Sequence, residues 1–215
     1  MATRHELDLP DGRRLVAYDD GPPGAATVVW HHASPASGAL LAPVVDAARR
    51  PDLVTGAVTL AGVAPYPGRG RDDRWFAGMV DDGGLRAALD GRTARERYEE
   101  TAQFDPSSFT AEDYATLEGA WAALGEDAAR SGEAWPGGLV DDDVAFVRPW
   151  GVEPGDVAAP ALVVQGGADR VIPRHHADLL VDAVRSAELW LRPRAGHVSV
   201  LTALPVTLDW WRSVA

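Results

Sequence analysis

The chain has no cysteine. Disulfides and thiolate metal sites are therefore excluded, while the absence is neutral between oxidising and reducing compartments. Lysine and asparagine are missing as well: all 20 basic residues are arginine, and Ile172 is the one isoleucine. Those amino acids have AT-rich codons, which points to a GC-rich bacterial gene and says nothing about chemistry. No apolar run approaches the roughly 18 residues of a membrane-crossing helix, and the opening MATRHELDLP has no hydrophobic stretch of the signal-peptide kind. A cytoplasmic protein is expected. Positive charge is scarce too, since the formal net charge is -12, with dense spots at Asp72-Asp73, Asp81-Asp82 and Asp141-Asp142-Asp143. Such a field repels phosphate backbones and anionic bilayers, so neither nucleic acid nor membrane is an expected partner. The aspartate runs read as solvated loops, because a calcium loop needs alternating oxygen ligands in a 12-residue frame.

What remains is ordinary for one globular domain. The chain has 215 residues, of which 46% are hydrophobic and 24% charged, with 22 Gly and 16 Pro supplying turns. Glu6–Leu9 and Arg14–Tyr18 alternate around Pro10-Asp11-Gly12 and predict an antiparallel hairpin. Ala26–Trp30 and Ala57–Val63 are continuous apolar runs, as strands buried on both faces should be. A helix over Gly38–Arg50 connects them, and the sheet is expected to pair the strand around Val28 with the strand around Val58. From about Arg71 to Trp150 the pattern turns helical, with candidates at Phe76–Leu89, Thr93–Phe104 and Thr110–Arg130. The last opens on a capping box, Thr110-x-x-Asp113. A strand at Ala161–Val164, a helix at Arg174–Arg185, a strand at Leu189–Leu191 and a helix at Val198–Val214 follow. Strands alternating with helices at both ends predict an α/β fold with a mostly parallel sheet, and the helical middle predicts an insertion.

Two motifs carry chemistry. Val163–Pro173 is an apolar strand that ends in Gly166-Gly167 and delivers Asp169; Ala195–Ser199 is a glycine turn after Leu189–Leu191 that delivers His197. Asp169 alone could be a turn aspartate that binds local N–H groups. His197 alone could be a structural loop histidine. An acid and then a base, each at the end of consecutive strands, together read as a carboxylate that orients an imidazole for proton transfer. His32-Ala33-Ser34-Pro35 follows the first buried run, where a tight turn can aim a backbone N–H at a developing oxyanion. Two His-His pairs, His31-His32 and His175-His176, tempt a metal reading. Adjacent side chains should point apart, however, and no H-E-x-x-H-type spacing accompanies them, so neither metal nor cofactor is expected. Trp75, Trp121, Trp135 and Trp150 fall in the helical middle, as core or as aromatics lining an apolar cleft.

Taken together these residues resemble the α/β-hydrolase family, in particular its bacterial members with a helical lid after the sixth strand. The resemblance runs over nearly the whole chain. It implies a core at residues 1–71 and 151–215, with 72–150 as the lid. It makes His32, Ala33 and Ser34 the oxyanion loop, with Ala33 where glycine is usual. Thr59–Pro65 looks like the sixth strand and lid entry, Gln165–Pro173 the acid loop, and Gly196–Ser199 the histidine loop. It implies hydrolysis of a small apolar ester or amide through a nucleophile–His–Asp relay with Asp169 and His197 as acid and base.

The departure from the family is the nucleophile. No G-x-S-x-G elbow occurs anywhere in the chain. Leu40–Ala48 runs directly into Arg49–Val54, so two βα units, roughly 60 residues at the usual size, are missing from the expected centre of the sheet. The alternative to a hydrolase is therefore a non-catalytic homologue that serves at most as a small-molecule binding module. Ser34 and Ser37 are the hydroxyls nearest the oxyanion loop, and neither has glycine on both sides.

Overall fold

The computed structural model describes residues 3–10, 12, 14–19, 22, 27–29, 47–68, 72–134 and 137–214. The chain divides into two compact units, Met1–Trp30 and His31–Ala215.

In the first unit the expected hairpin forms. Strand β1 (Thr3–Asp8) pairs antiparallel with β2 (Arg14–Asp19), from Thr3↔Asp19 to Asp8↔Arg14. Gly12 makes the turn possible, with φ 85 and its amide donating to the Leu9 carbonyl at 3.0 Å. A left-handed residue there favours glycine, which has no Cβ to clash. The buried strand expected at Ala26–Trp30 is a correction. Residues 27–29 are not in a strand, and Val28 and Val29 are exposed. A strand buried on both faces needs sheet neighbours and cover, and the sheet in this unit is a two-stranded hairpin whose β1 is exposed along its length. Val28 and the strand at Val58 belong to different units. Of the expected helix over 38–50, residues 47–49 are helical and the earlier part lies outside the described residues.

The second unit holds a parallel three-stranded sheet in the order β3–β4–β5, formed by Ala57–Leu60, Ala161–Gly166 and Ala187–Arg192. Strand β4 is central and buried at every residue. Its alternating side chains feed two faces. Leu162 and Val164 pack with Ala61, Val200 and Ala203, while Val163 packs with Ala64, Ala177 and Leu180. That alternation places the helix His175–Ala183 on one face and the C-terminal segment on the other. The last helix was expected from Val198; it begins instead as a 3-10 turn, Ser199–Ala203, and becomes α-helical over Leu204–Val214.

Between β3 and β4 lies the helical middle, cut more finely than periodicity predicts. In chain order its helices are α1 (Asp73–Phe76), α2 (Gly83–Leu89), α3 (Arg92–Glu99), α4 (Ala111–Glu118), α5 (Ala122–Ala134) and α6 (Gly137–Phe146). The helices after β4 become α7 (His175–Ala183) and α8 (Leu204–Val214). The run expected over Phe76–Leu89 breaks because Gly78 takes φ 85, a conformation no helix accommodates. Trp75 and Phe76 meet edge to face at 4.9 Å and pack with Val63, Ala88, Phe146, Val147 and Ile172. Helices α3 and α6 share a buried ion pair: Arg95 Nε donates to Asp143 Oδ2 at 2.6 Å and Nη1 to Glu99 Oε2 at 2.7 Å. Burial nevertheless pushes the Asp143 carboxyl up to about 6, against the pull of Arg95.

Candidate active site

Parallel strands end together, so loops that follow β4 and β5 emerge on one edge of the sheet. The loop after β4 carries Asp169 and the loop after β5 carries His197. Their backbones run against each other: Gly167 N–H donates to Arg192 O and Ala168 N–H to Ala195 O, both at 2.9 Å. Glycine is required for that approach. A Cβ at Gly166 would stand 2.5 Å from Ala195 O, and one at Gly167 would stand 2.6 Å from Pro193 O.

Asp169 uses its two oxygens for two tasks. Oδ1 accepts from the amides of Val171 and Ile172, each at 2.9 Å, as a turn aspartate does. Oδ2 lies 3.0 Å from Nδ1 of His197 and also accepts from Gln165 Nε2 at 3.1 Å. Gln165 in turn donates to Ile172 O at 2.9 Å, which pins the amide and with it the carboxylate. The side chain of Asp169 is fully buried and that of His197 is 16% exposed. A carboxylate removed from water and anchored on three donors is a fixed acceptor. It therefore orients the imidazole with Nδ1 carrying the proton and leaves Nε2 as the basic nitrogen. Among the described residues Nε2 of His197 has no hydrogen-bond partner.

The His197 imidazole is held above its ordinary pKa. Burial works to lower it, and the negative charge and hydrogen bond of Asp169, with a further contribution from the charge of Asp113, outweigh that burial. Asp113 is the site residue that sequence reasoning did not find. Its capping box at the start of α4 was legible and forms, with Thr110 N–H and Oγ1 both 2.8 Å from Oδ2. What the local motif conceals is the other oxygen. Oδ1 accepts from Val198 N–H at 2.9 Å, Ser199 N–H at 2.7 Å and Ser199 Oγ at 2.8 Å, across 85 residues of chain.

Of the other expected residues, His31, His32, Ala33, Ser34 and Ser37 lie outside the described residues. The second histidine pair is a correction. At the start of α7 the rings of His175 and His176 lie with centroids 4.4 Å apart instead of diverging. His176 is buried, accepts from Ala64 N–H at Nδ1 (3.2 Å) and stands edge-on to Trp75 at 4.8 Å. Burial lowers its pKa to about 4, so it is a neutral core residue. Among the described residues no group of three or more His, Cys, Asp or Glu side chains is placed to hold a metal ion. A cleft of about 600 Å³ opens beside Glu112, Thr116, Arg192, Arg194 and Ser199, and neither Asp169 nor His197 lines it.

No protein-family model and no curated protein matches this sequence. Solved structures do. The chain is similar to α/β-hydrolase proteins. An enol-lactonase from Burkholderia xenovorans LB400 is 18% identical, with a TM-score of 0.47 over 81% of this chain and 60% of that one. An α/β-hydrolase fold protein from Chitinophaga pinensis is 16% identical, with a TM-score of 0.48 over 79% and 60%. A hydrolase from Pseudomonas aeruginosa PA01 is 18% identical, with a TM-score of 0.46 over 80% and 59%. The chain thus spans less than two thirds of the length of each of these proteins. Its α/β class rests on the parallel sheet and register described above. Among the described residues no helix is long and apolar enough to cross a membrane.

Proposed function

We propose that this chain is an α/β-hydrolase-type protein that carries the acid and base of a hydrolytic relay, Asp169 and His197, without the serine elbow that would let the relay turn over. The observation that carries the reading is the 3.0 Å contact between Nδ1 of His197 and Oδ2 of Asp169, made by loops that follow neighbouring parallel strands. In such a relay the carboxylate holds the imidazole, the imidazole takes the proton of a nucleophile, and backbone N–H groups receive the oxyanion. The resemblance assigns that last role to the loop of His32, Ala33 and Ser34, and assigns residues 72–150 to a lid over a small apolar ester or amide.

An imidazole with no serine to deprotonate gives no acyl-enzyme. What His197 retains is the capacity to polarise a water molecule, which supports residual hydrolysis at most. The protein then acts as a non-catalytic homologue that binds a small apolar molecule. The test is steady-state turnover of short-chain aryl esters by the wild-type protein and His197→Ala. The reading predicts the same low background from both. Turnover of about 1 s⁻¹ or more that collapses in His197→Ala would establish an active hydrolase with a substitute nucleophile.

A further inference from the structure

We propose that Asp113, from the helical middle, is the positioning residue that holds the His197 loop against Asp169, so that the base is aligned only while α4 is docked. This rests on the reading of His197 as the relay base.

The argument starts from the number of donors on one carboxylate. Asp113 is fully buried and accepts five hydrogen bonds, two from Thr110 and three from Val198 and Ser199. The Ser199 hydroxyl that donates to it accepts in turn from Gly196 N–H at 2.7 Å. Residues 196, 198 and 199 are all tied to this single side chain, and His197 is the residue they enclose. A capping aspartate needs only its own helix. Here the more heavily used oxygen serves a loop 85 residues away. The fit is close, because a Cβ on Gly196 would fall inside the Asp113 carboxylate. Burial works to raise the Asp113 carboxyl, yet the hydrogen bonds from Ser199 and Thr110 outweigh it and hold the carboxyl below the usual range and hence charged. Among the described residues, the groups whose charge reaches His197 are Asp169 and Asp113.

The experiment is ¹H and ¹³C–¹H NMR of the full chain with labelled histidine, following the His197 titration and the low-field Nδ1–H signal of the His197–Asp169 hydrogen bond. The variants are Asp113→Asn, Asp113→Ala, Ser199→Ala and Thr110→Val. The buried His176 ring serves as an internal reporter that the core is folded. Asp113→Asn is expected to lower the His197 pKa by about one pH unit and to broaden or abolish the low-field signal while His176 is unmoved. Ser199→Ala keeps the two amide bonds to Asp113 and is expected to lose part of the signal. Thr110→Val removes one of the five donors on Asp113 and leaves the three bonds to the His197 loop, so it should move His197 much less than Asp113→Asn does. If Asp113→Asn and Ser199→Ala both keep the wild-type pKa and signal, Asp113 is a helix cap and the proposal is overturned while the Asp169–His197 pair stands. If Thr110→Val perturbs His197 as much as Asp113→Asn does, the effect comes from the cap and the proposal is again overturned. A wild-type protein without the low-field signal would overturn the pair itself, and the proposal with it.

Discussion

Oδ2 of Asp169 faces Nδ1 of His197 at 3.0 Å, while Oδ1 of the same carboxylate is taken up by the amides of Val171 and Ile172. The turn bonds and the imidazole contact of this aspartate are one arrangement: the backbone donors fix the carboxylate, and the fixed carboxylate orients the ring.

That arrangement has a pH signature. His197 is raised above its ordinary value of about 6.5 by Asp169 and Asp113. The charged pair therefore stabilises the fold fully below about pH 6.5, and the contribution disappears as pH rises through the raised value. Chemical unfolding of the wild type and His197→Ala at pH 5.5 and pH 9 checks this. The variant is expected to lose more stability relative to wild type at pH 5.5 than at pH 9. Asp169→Ala should cost about 2–4 kcal/mol at pH 9, because it strips acceptors from two amides and from Gln165, and more at pH 5.5, where the charged pair with His197 is lost as well.

The pair formed by Arg95 and Asp143 predicts the opposite kind of rescue. Arg95→Met leaves a carboxyl buried among α2, α3 and α6 with no counter-charge, which costs about 3–5 kcal/mol when the carboxyl is ionised. Asp143 already titrates at about 6, and without Arg95 it should titrate higher. The neutral form is tolerated in the fold, so this contribution to stability is present at low pH and lost as pH rises through the folded value. Thermal melts should show Arg95→Met closer to wild type at pH 5 than at pH 8. Equal deficits at the two pH values would mean that Asp143 is not the group exposed by the substitution.

Gly167→Ala sets a Cβ 2.6 Å from the Pro193 carbonyl, which is backbone and cannot swing aside. A loss of about 1–3 kcal/mol is expected, together with a weakened His197–Asp169 contact, because the acid and histidine loops must separate. Unfolding curves and the low-field proton signal report the two effects independently.

How much of this was legible beforehand depends on the range of the interactions. Strands β4 and β5 and the pair Asp169–His197 could be read from short motifs, since a continuous apolar run followed by a glycine turn encodes both the buried strand and its end. The run at Val28-Val29 has the same composition and forms no strand, because burial depends on neighbours that composition does not supply. Asp113 was visible as a cap and invisible as the anchor of Val198 and Ser199, a relation between segments 85 residues apart. The breaks at Gly78 and after Glu118 were hidden by helical periodicity that continues across them. That no G-x-S-x-G pattern occurs is read from the sequence directly.

The central claim is a relay without its nucleophile, and intact mass spectrometry after treatment with a serine-directed fluorophosphonate tests it most directly. An activated serine is labelled stoichiometrically, and the labelling depends on the histidine that activates it. The account predicts no adduct on the wild-type protein above the level seen with His197→Ala. A one-to-one adduct on any serine, Ser34 and Ser37 included, that disappears in His197→Ala would contradict it.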